Sequence, residues 1–169
     1  EGCAQGDTVF ICGQWIVDGE VTFLSGDTNT CKSTVAHGLA RAISDGSNFL
    51  GYPTKVCEVL YAETEMTSKQ LYNRFKDVNV NDNFKYLDSV GKDLTWILEQ
   101  VESYCKAREC DKRLVVVIDS ISVAARSSIT AKVARETMQR LKAMCKLYGI
   151  SVLVLVNTSD FHVPGAELV

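Results

Sequence analysis

Four short runs, Val21 to Leu24, Val56 to Ala62, Leu114 to Ile118 and Ile150 to Val156, are rich in Val, Ile and Leu and show no polar alternation. A strand with one wet face alternates, whereas a strand covered on both faces does not, and double coverage is the condition of parallel sheets flanked by helices. The intervening segments carry helical stripes: Val35, Leu39 and Ile43; then Leu94, Ile97, Leu98, Val101 and Cys105; then Ala134, Met138, Leu141, Cys145 and Tyr148. Strand and helix therefore alternate, and the fold class expected is α/β, a three-layer sandwich around a mostly parallel sheet. Phe84 to Leu87 adds a short further strand. Thr67 and Gln70 form a capping box that starts a helix from about Ser68 to Phe75, and Asp45-Gly46 stops the helix before it.

A single domain accommodates all of this. The 169 residues are 46% hydrophobic and 23% charged with two prolines, enough to bury roughly two-thirds of the unfolded surface in one core. The net charge of −3 excludes a global field that would demand a polyanionic partner, so any nucleic-acid contact must come from a local patch. Seven cysteines without a CxxC pair and only two histidines argue against zinc and against a disulfide framework. Cys57 and Cys145 read as small buried hydrophobes, and reduced thiols point to the cytoplasm. No apolar run has the length of a membrane span, and the first residues lack the features of a signal peptide.

Chemistry concentrates where the first strand meets the first helix. Val21 to Thr34 reads strand, turn, helix, and Gly26-Asp27-Thr28-Asn29-Thr30-Cys31-Lys32-Ser33 departs from G-x-x-x-x-G-K-[ST] only at Cys31. In that motif backbone N–H groups and the helix N-terminus surround phosphates, the lysine reaches the β and γ oxygens, and the hydroxyl holds Mg²⁺. Gly26 through Thr34 are thus the candidate ATP-binding residues, with Ser33 a metal ligand. The competing structural reading is a polar turn, Ser25 to Thr30, that merely caps the helix. Glycine at the position of Cys31 would let the backbone pass close to the phosphates. Cysteine is small enough for the loop to survive, and beside Lys32 its thiol is expected to be more reactive than the buried ones.

Two further strands end in carboxylates. Arg113-Leu-Val-Val-Val-Ile-Asp119 places Asp119 at the carboxyl edge of the sheet as the second metal residue, held near Mg²⁺ through water or through Ser33. By itself an aspartate there equally caps a turn. Val59-Leu-Tyr-Ala-Glu63-Thr-Glu65 runs into the capped helix with two acidic residues, which a helix dipole would favour for purely structural reasons.

Glu65-Met-Thr-Ser-Lys-Gln70-Leu-Tyr-Asn-Arg74 resembles the E-M-S-x-x-Q-L-x-x-R segment of RecA-like P-loop ATPases such as the DnaB-type replicative helicases. Trp15-Ile-Val-Asp-Gly-Glu and Phe49-Leu-Gly-Tyr-Pro-Thr-Lys are similar to segments of the RepA-like ATPases of plasmids and mobile elements. The resemblance spans about Trp15 to Thr158. It implies that Glu65 orients and deprotonates the attacking water, with Glu63 the alternative, that Lys32 and Asn157 contact the γ-phosphate, and that Ser120 lies near the metal's water shell. It implies a sheet in which the final strand lies between the P-loop strand and the Asp119 strand, with Val56 to Ala62 beyond the latter.

Further implications are an ATPase acting in DNA replication, repair or mobile-element maintenance, a homo-oligomer that is a hexameric ring or filament, and single-stranded DNA as partner. Candidate contacts are the Ser122 to Thr130 stretch with Arg126, and the basic helix from Ala131 to Tyr148, which otherwise reads as a solvated face. No arginine finger is visible. Either it lies outside these residues, the chain being truncated at its C-terminus, or the protein is a slow nucleotide switch. A P-loop small-molecule or nucleotide kinase is the other enzymatic alternative, disfavoured because Arg74, Arg108, Arg113 and Arg126 are scattered.

Overall fold

The computed structural model describes residues 8–75, 81–109, 111–125 and 131–158. A two-stranded antiparallel hairpin, β1 (Phe10–Cys12) and β2 (Ile16–Val17), precedes the main sheet. That sheet contains β3 (Val21–Gly26), β4 (Glu58–Glu63), β5 (Phe84–Asp88), β6 (Leu114–Asp119) and β7 (Ser151–Asn157). These strands all pair in parallel, in the order β3-β7-β6-β4-β5. This is the expected order, with the last strand beside the P-loop strand and β4 beyond β6.

Among the described residues five helices cover the sheet: α1 (Lys32–Asp45), α2 (Ser68–Phe75), α3 (Leu94–Ala107), α4 (Ile121–Ala125) and α5 (Ala131–Tyr148). Successive strand residues point to opposite faces, so each central strand feeds two cores. Val59, Tyr61, Val115, Val117, Leu153 and Leu155 pack with Ala36, Leu39 and Ile43 of α1 and with Ile11, Cys12 and Ile16 of the hairpin. Leu60, Ala62, Val116, Ile118, Val152 and Val154 pack with Ile97, Leu98 and Val101 of α3 and Leu141, Met144 and Cys145 of α5. Every residue of β4 and β6 is buried, which explains the missing alternation, since each apolar side chain removed from water contributes roughly 1.5–3 kcal/mol.

The boundaries follow local chemistry. Gly46 ends α1 at φ 76° and donates its N–H to Ala42 O at 2.8 Å. At α2 the capping box forms, with Thr67 N donating to Gln70 Oε1 at 2.8 Å. Asp93 caps α3 by accepting from Trp96 N.

Two strand starts differ from expectation. Val56 lies outside β4 and is 51% exposed, because its neighbours on both sides pair elsewhere, Lys55 N donating to Ile11 O and Cys57 N to Ile43 O. Ile150 precedes β7 as a buried residue. The hairpin and α4 were not expected; at three, two and five residues they are too short for a periodic signal. Because α4 occupies 121–125, the Ser122 to Thr130 stretch is helical over its first part, and Arg126 lies outside the described residues. Among the described residues no helix is long and apolar enough to cross a membrane.

Candidate active site

Parallel register brings four strand ends to one edge. Gly26 of β3 is level with Asn157 of β7, and Glu63 of β4 is level with Asp119 of β6. The loop from β3 to α1 rises over this edge, and the cleft beside it is lined by Thr28 to Thr34, Glu65, Asp119, Ser120 and Asn157. Eleven of the residues given a site role from sequence thus meet in one place, while Gly26 and Asp27 offer their carbonyls to Lys32 Nζ at 2.9 and 2.7 Å.

The loop conformation accounts for its residue types. Asn29 and Cys31 adopt left-handed backbone, φ 65° and 62°. Asparagine tolerates that region, whereas for cysteine it costs on the order of 1 kcal/mol. Cys31 therefore keeps the backbone a glycine would take, and its side chain is exposed. A Cβ on Gly26 would stand 2.9 Å from Thr30 Oγ1, so any larger residue there would have to displace the Thr30 hydroxyl. Thr30 Oγ1 donates to Asp27 O rather than capping the helix, and no side chain caps α1 among the described residues. The side-chain cap that the polar-turn reading expects is thus replaced by bonds within the loop.

Ser33 Oγ donates to Asp119 Oδ1 at 3.2 Å, and Tyr61 Oη donates to Asp119 Oδ2 at 2.7 Å. Burial pushes the Asp119 carboxyl above the ordinary range, and the Tyr61 hydrogen bond is the largest effect opposing that rise. Burial, with the Asp119 charge beside it, drives the Tyr61 phenol well above its usual value. The Tyr61 ring stacks on His37 with centroids 4.0 Å apart. His37 Nε2 in turn lies 3.6 Å from Glu63 Oε2.

The two glutamates separate by environment. Glu63 is 1% exposed and its Oε1 accepts from Glu65 N and Met66 N, at 2.9 and 3.1 Å, fixing the turn after β4. Glu65 reaches the cleft, where Ser120 Oγ donates to its Oε1 at 3.3 Å. Ser120 thus contacts Glu65, a link the sequence reading did not contain. Thr64 Oγ1 accepts from Ser120 N at 2.9 Å and donates to Asp119 O, locking the β4 and β6 ends together. At the far side Thr158 Oγ1 bonds Asp27 Oδ1, and Asn157 N donates to Ser122 Oγ at 3.4 Å. Tyr61 was missed, although a phenol in the middle of a buried strand signals an undisclosed partner.

An all-oxygen pair from Ser33 and Asp119 suits a hard cation such as Mg²⁺. A lysine at the loop floor, an uncapped helix N-terminus and this carboxylate together define a P-loop nucleotide-binding fold of RecA-like type. The family model for the AAA domain (AAA_25) matches residues 10–159, and the chain belongs to that family. No curated protein sequence matches it. Among solved structures it is similar to the flagellar accessory protein FlaH from Methanocaldococcus jannaschii, with TM-score 0.59, 17% identity, and coverage of 88% of this chain and 65% of that one. It is likewise similar to a second solved protein, described as an ATPase domain, with TM-score 0.58, 15% identity, and coverage of 80% of this chain and 56% of that one. The chain thus spans less than two-thirds of the length of either.

Proposed function

We propose that this domain binds Mg-ATP and hydrolyses it as a nucleic-acid-stimulated motor or loader, acting in DNA replication, repair or mobile-element maintenance. The observation that carries the hydrolytic reading is Glu65, a carboxylate turned into the same cleft as Lys32, Ser33 and Asp119 while its neighbour Glu63 is buried. Lys32 leaves the loop carbonyls to meet the β and γ oxygens, and the loop N–H groups hold the remaining phosphate charge. Ser33 and Asp119 hold Mg²⁺, which when bound neutralises phosphate charge. Glu65, steadied by Ser120, orients the attacking water and accepts its proton. Asn157, at the end of β7, reads the γ-phosphate, and the Thr158 to Asp27 bond ties that strand end to the loop.

Single-stranded DNA is the proposed partner. Its support is the family together with α5, where Lys132, Arg135, Lys142 and Lys146 are exposed, although Lys132 pairs with Glu136 at 3.9 Å and Arg140 with Glu102 at 3.2 Å. No arginine appears among the described residues lining the cleft, which fits completion of the site by a neighbouring copy in a ring or filament. The same observation favours, as a second reading, a nucleotide switch with little turnover. Steady-state ATP hydrolysis with Mg²⁺, with and without single-stranded DNA, decides between them. DNA-raised turnover supports the motor, binding without turnover supports the switch, and turnover indifferent to DNA removes the nucleic-acid assignment.

A further inference from the structure

Asp119 is gripped from two sides, and only one of those grips belongs to the P-loop motif. Its Oδ1 faces Ser33 Oγ at the cleft, whereas its Oδ2 accepts from Tyr61 Oη at 2.7 Å deep in the sheet. Tyr61 is fully buried, and its ring is wedged between His37 of α1 and Phe84 of β5, at centroid distances of 4.0 and 6.0 Å. The phenol is therefore held by packing, and its hydroxyl constrains the Asp119 carboxylate from the side opposite Ser33. A carboxylate with a free Oδ2 can rotate about its last bond, and a metal ligand held loosely binds more weakly.

We propose that Tyr61 is a positioning residue for the metal: by holding Oδ2 it aims Oδ1 of Asp119 at the cation shared with Ser33. This rests on the reading of the cleft as a Mg-nucleotide site. Tyr61 does not line the cleft, so removing its hydroxyl should change the Mg²⁺ requirement and leave metal-free nucleotide contacts intact.

Tyr61→Phe tests this, because it keeps the ring that packs on His37 and Phe84 and deletes only the hydroxyl. Binding of a fluorescent ATP analogue is titrated with Mg²⁺ for wild type, Tyr61→Phe, Asp119→Asn and the double variant, with thermal melts in EDTA as the folding control. The expected result is a Mg²⁺ midpoint raised about three- to tenfold in Tyr61→Phe, the effect of one lost hydrogen bond, with unchanged affinity in EDTA. In the Asp119→Asn background the same substitution should add nothing, since its effect runs through Asp119. A Tyr61→Phe midpoint that overlays wild type overturns the proposal, as does an equal further shift on top of Asp119→Asn, or an equal loss of affinity with and without Mg²⁺. A wild type that binds no nucleotide at all overturns the underlying function instead, so the two failures are distinct.

Discussion

Ser33 Oγ and Asp119 Oδ1 lie 3.2 Å apart although 86 positions separate them in sequence. The first stands at the start of α1, the second at the end of β6, and the intervening chain lays β4 and β5 on the far side of β6 so that the two ends meet. Replacing Ser33 by Ala removes one oxygen of this pair without disturbing the core. Nucleotide binding should then need about tenfold more Mg²⁺ while metal-free binding stays the same. Titration calorimetry with and without Mg²⁺ measures both, and an unchanged Mg²⁺ dependence would show that Ser33 is not a ligand.

The left-handed backbone at Cys31, φ 62°, predicts that Cys31→Gly stabilises the protein. The gain should be about 1 kcal/mol, or a rise of roughly 2–4 °C in melting temperature. A melting temperature that falls would mean that the loop does not hold this conformation.

The exposed Cys31 side chain lines the cleft, so a bulky adduct there occupies phosphate space. Treatment with N-ethylmaleimide should abolish ATP binding in wild type and spare Cys31→Ser, and bound ATP should slow the modification. Equal inactivation of the two proteins would assign the effect to another thiol.

How much of this was legible beforehand depends on how local each signal is. The β6 and β7 runs are apolar without alternation and the α5 stripe is periodic over eighteen residues, so strands, helices and the loop motif could be read directly. The β1–β2 hairpin has five strand residues in all, and Ile11, Cys12 and Ile16 reveal their role only once α1 lies above them. Tyr61 finds Asp119 across 58 positions, a contact made by the β4–β6 register and invisible in either segment alone. Glu63 and Glu65 differ by two positions and look alike in sequence; the turn after β4 buries one and exposes the other.

A third buried carboxylate, Glu58, sets an acid limit on stability. Glu58 Oε1 accepts from Lys85 Nζ at 2.9 Å and from Tyr104 Oη, and its Oε2 accepts from Arg108 Nε at 2.8 Å. Burial pushes the Glu58 carboxyl upward, but the hydrogen bonds from Tyr104, Lys85 and Arg108 outweigh it and hold the group below the ordinary range. A depressed folded-state value means that the stabilisation is fully present above the unfolded value of about 4.3 and is lost as pH falls through the folded one. Glu58→Gln should therefore cost about 2 kcal/mol at neutral pH, Lys85 being half exposed and contributing little, and the gap from wild type should narrow below about pH 4. Thermal melts of both proteins from pH 7 to pH 3 check this, and a gap that is constant with pH would contradict it.

Whether one cleft binds ATP through Lys32 and hydrolyses it through Glu65 is decided by measuring affinity and turnover together in Lys32→Ala and Glu65→Gln. Lys32→Ala should weaken ATP binding by about 10- to 100-fold, whereas Glu65→Gln should bind like wild type and turn over about 10²- to 10⁴-fold more slowly. Equal losses of binding and turnover in both variants would contradict these roles.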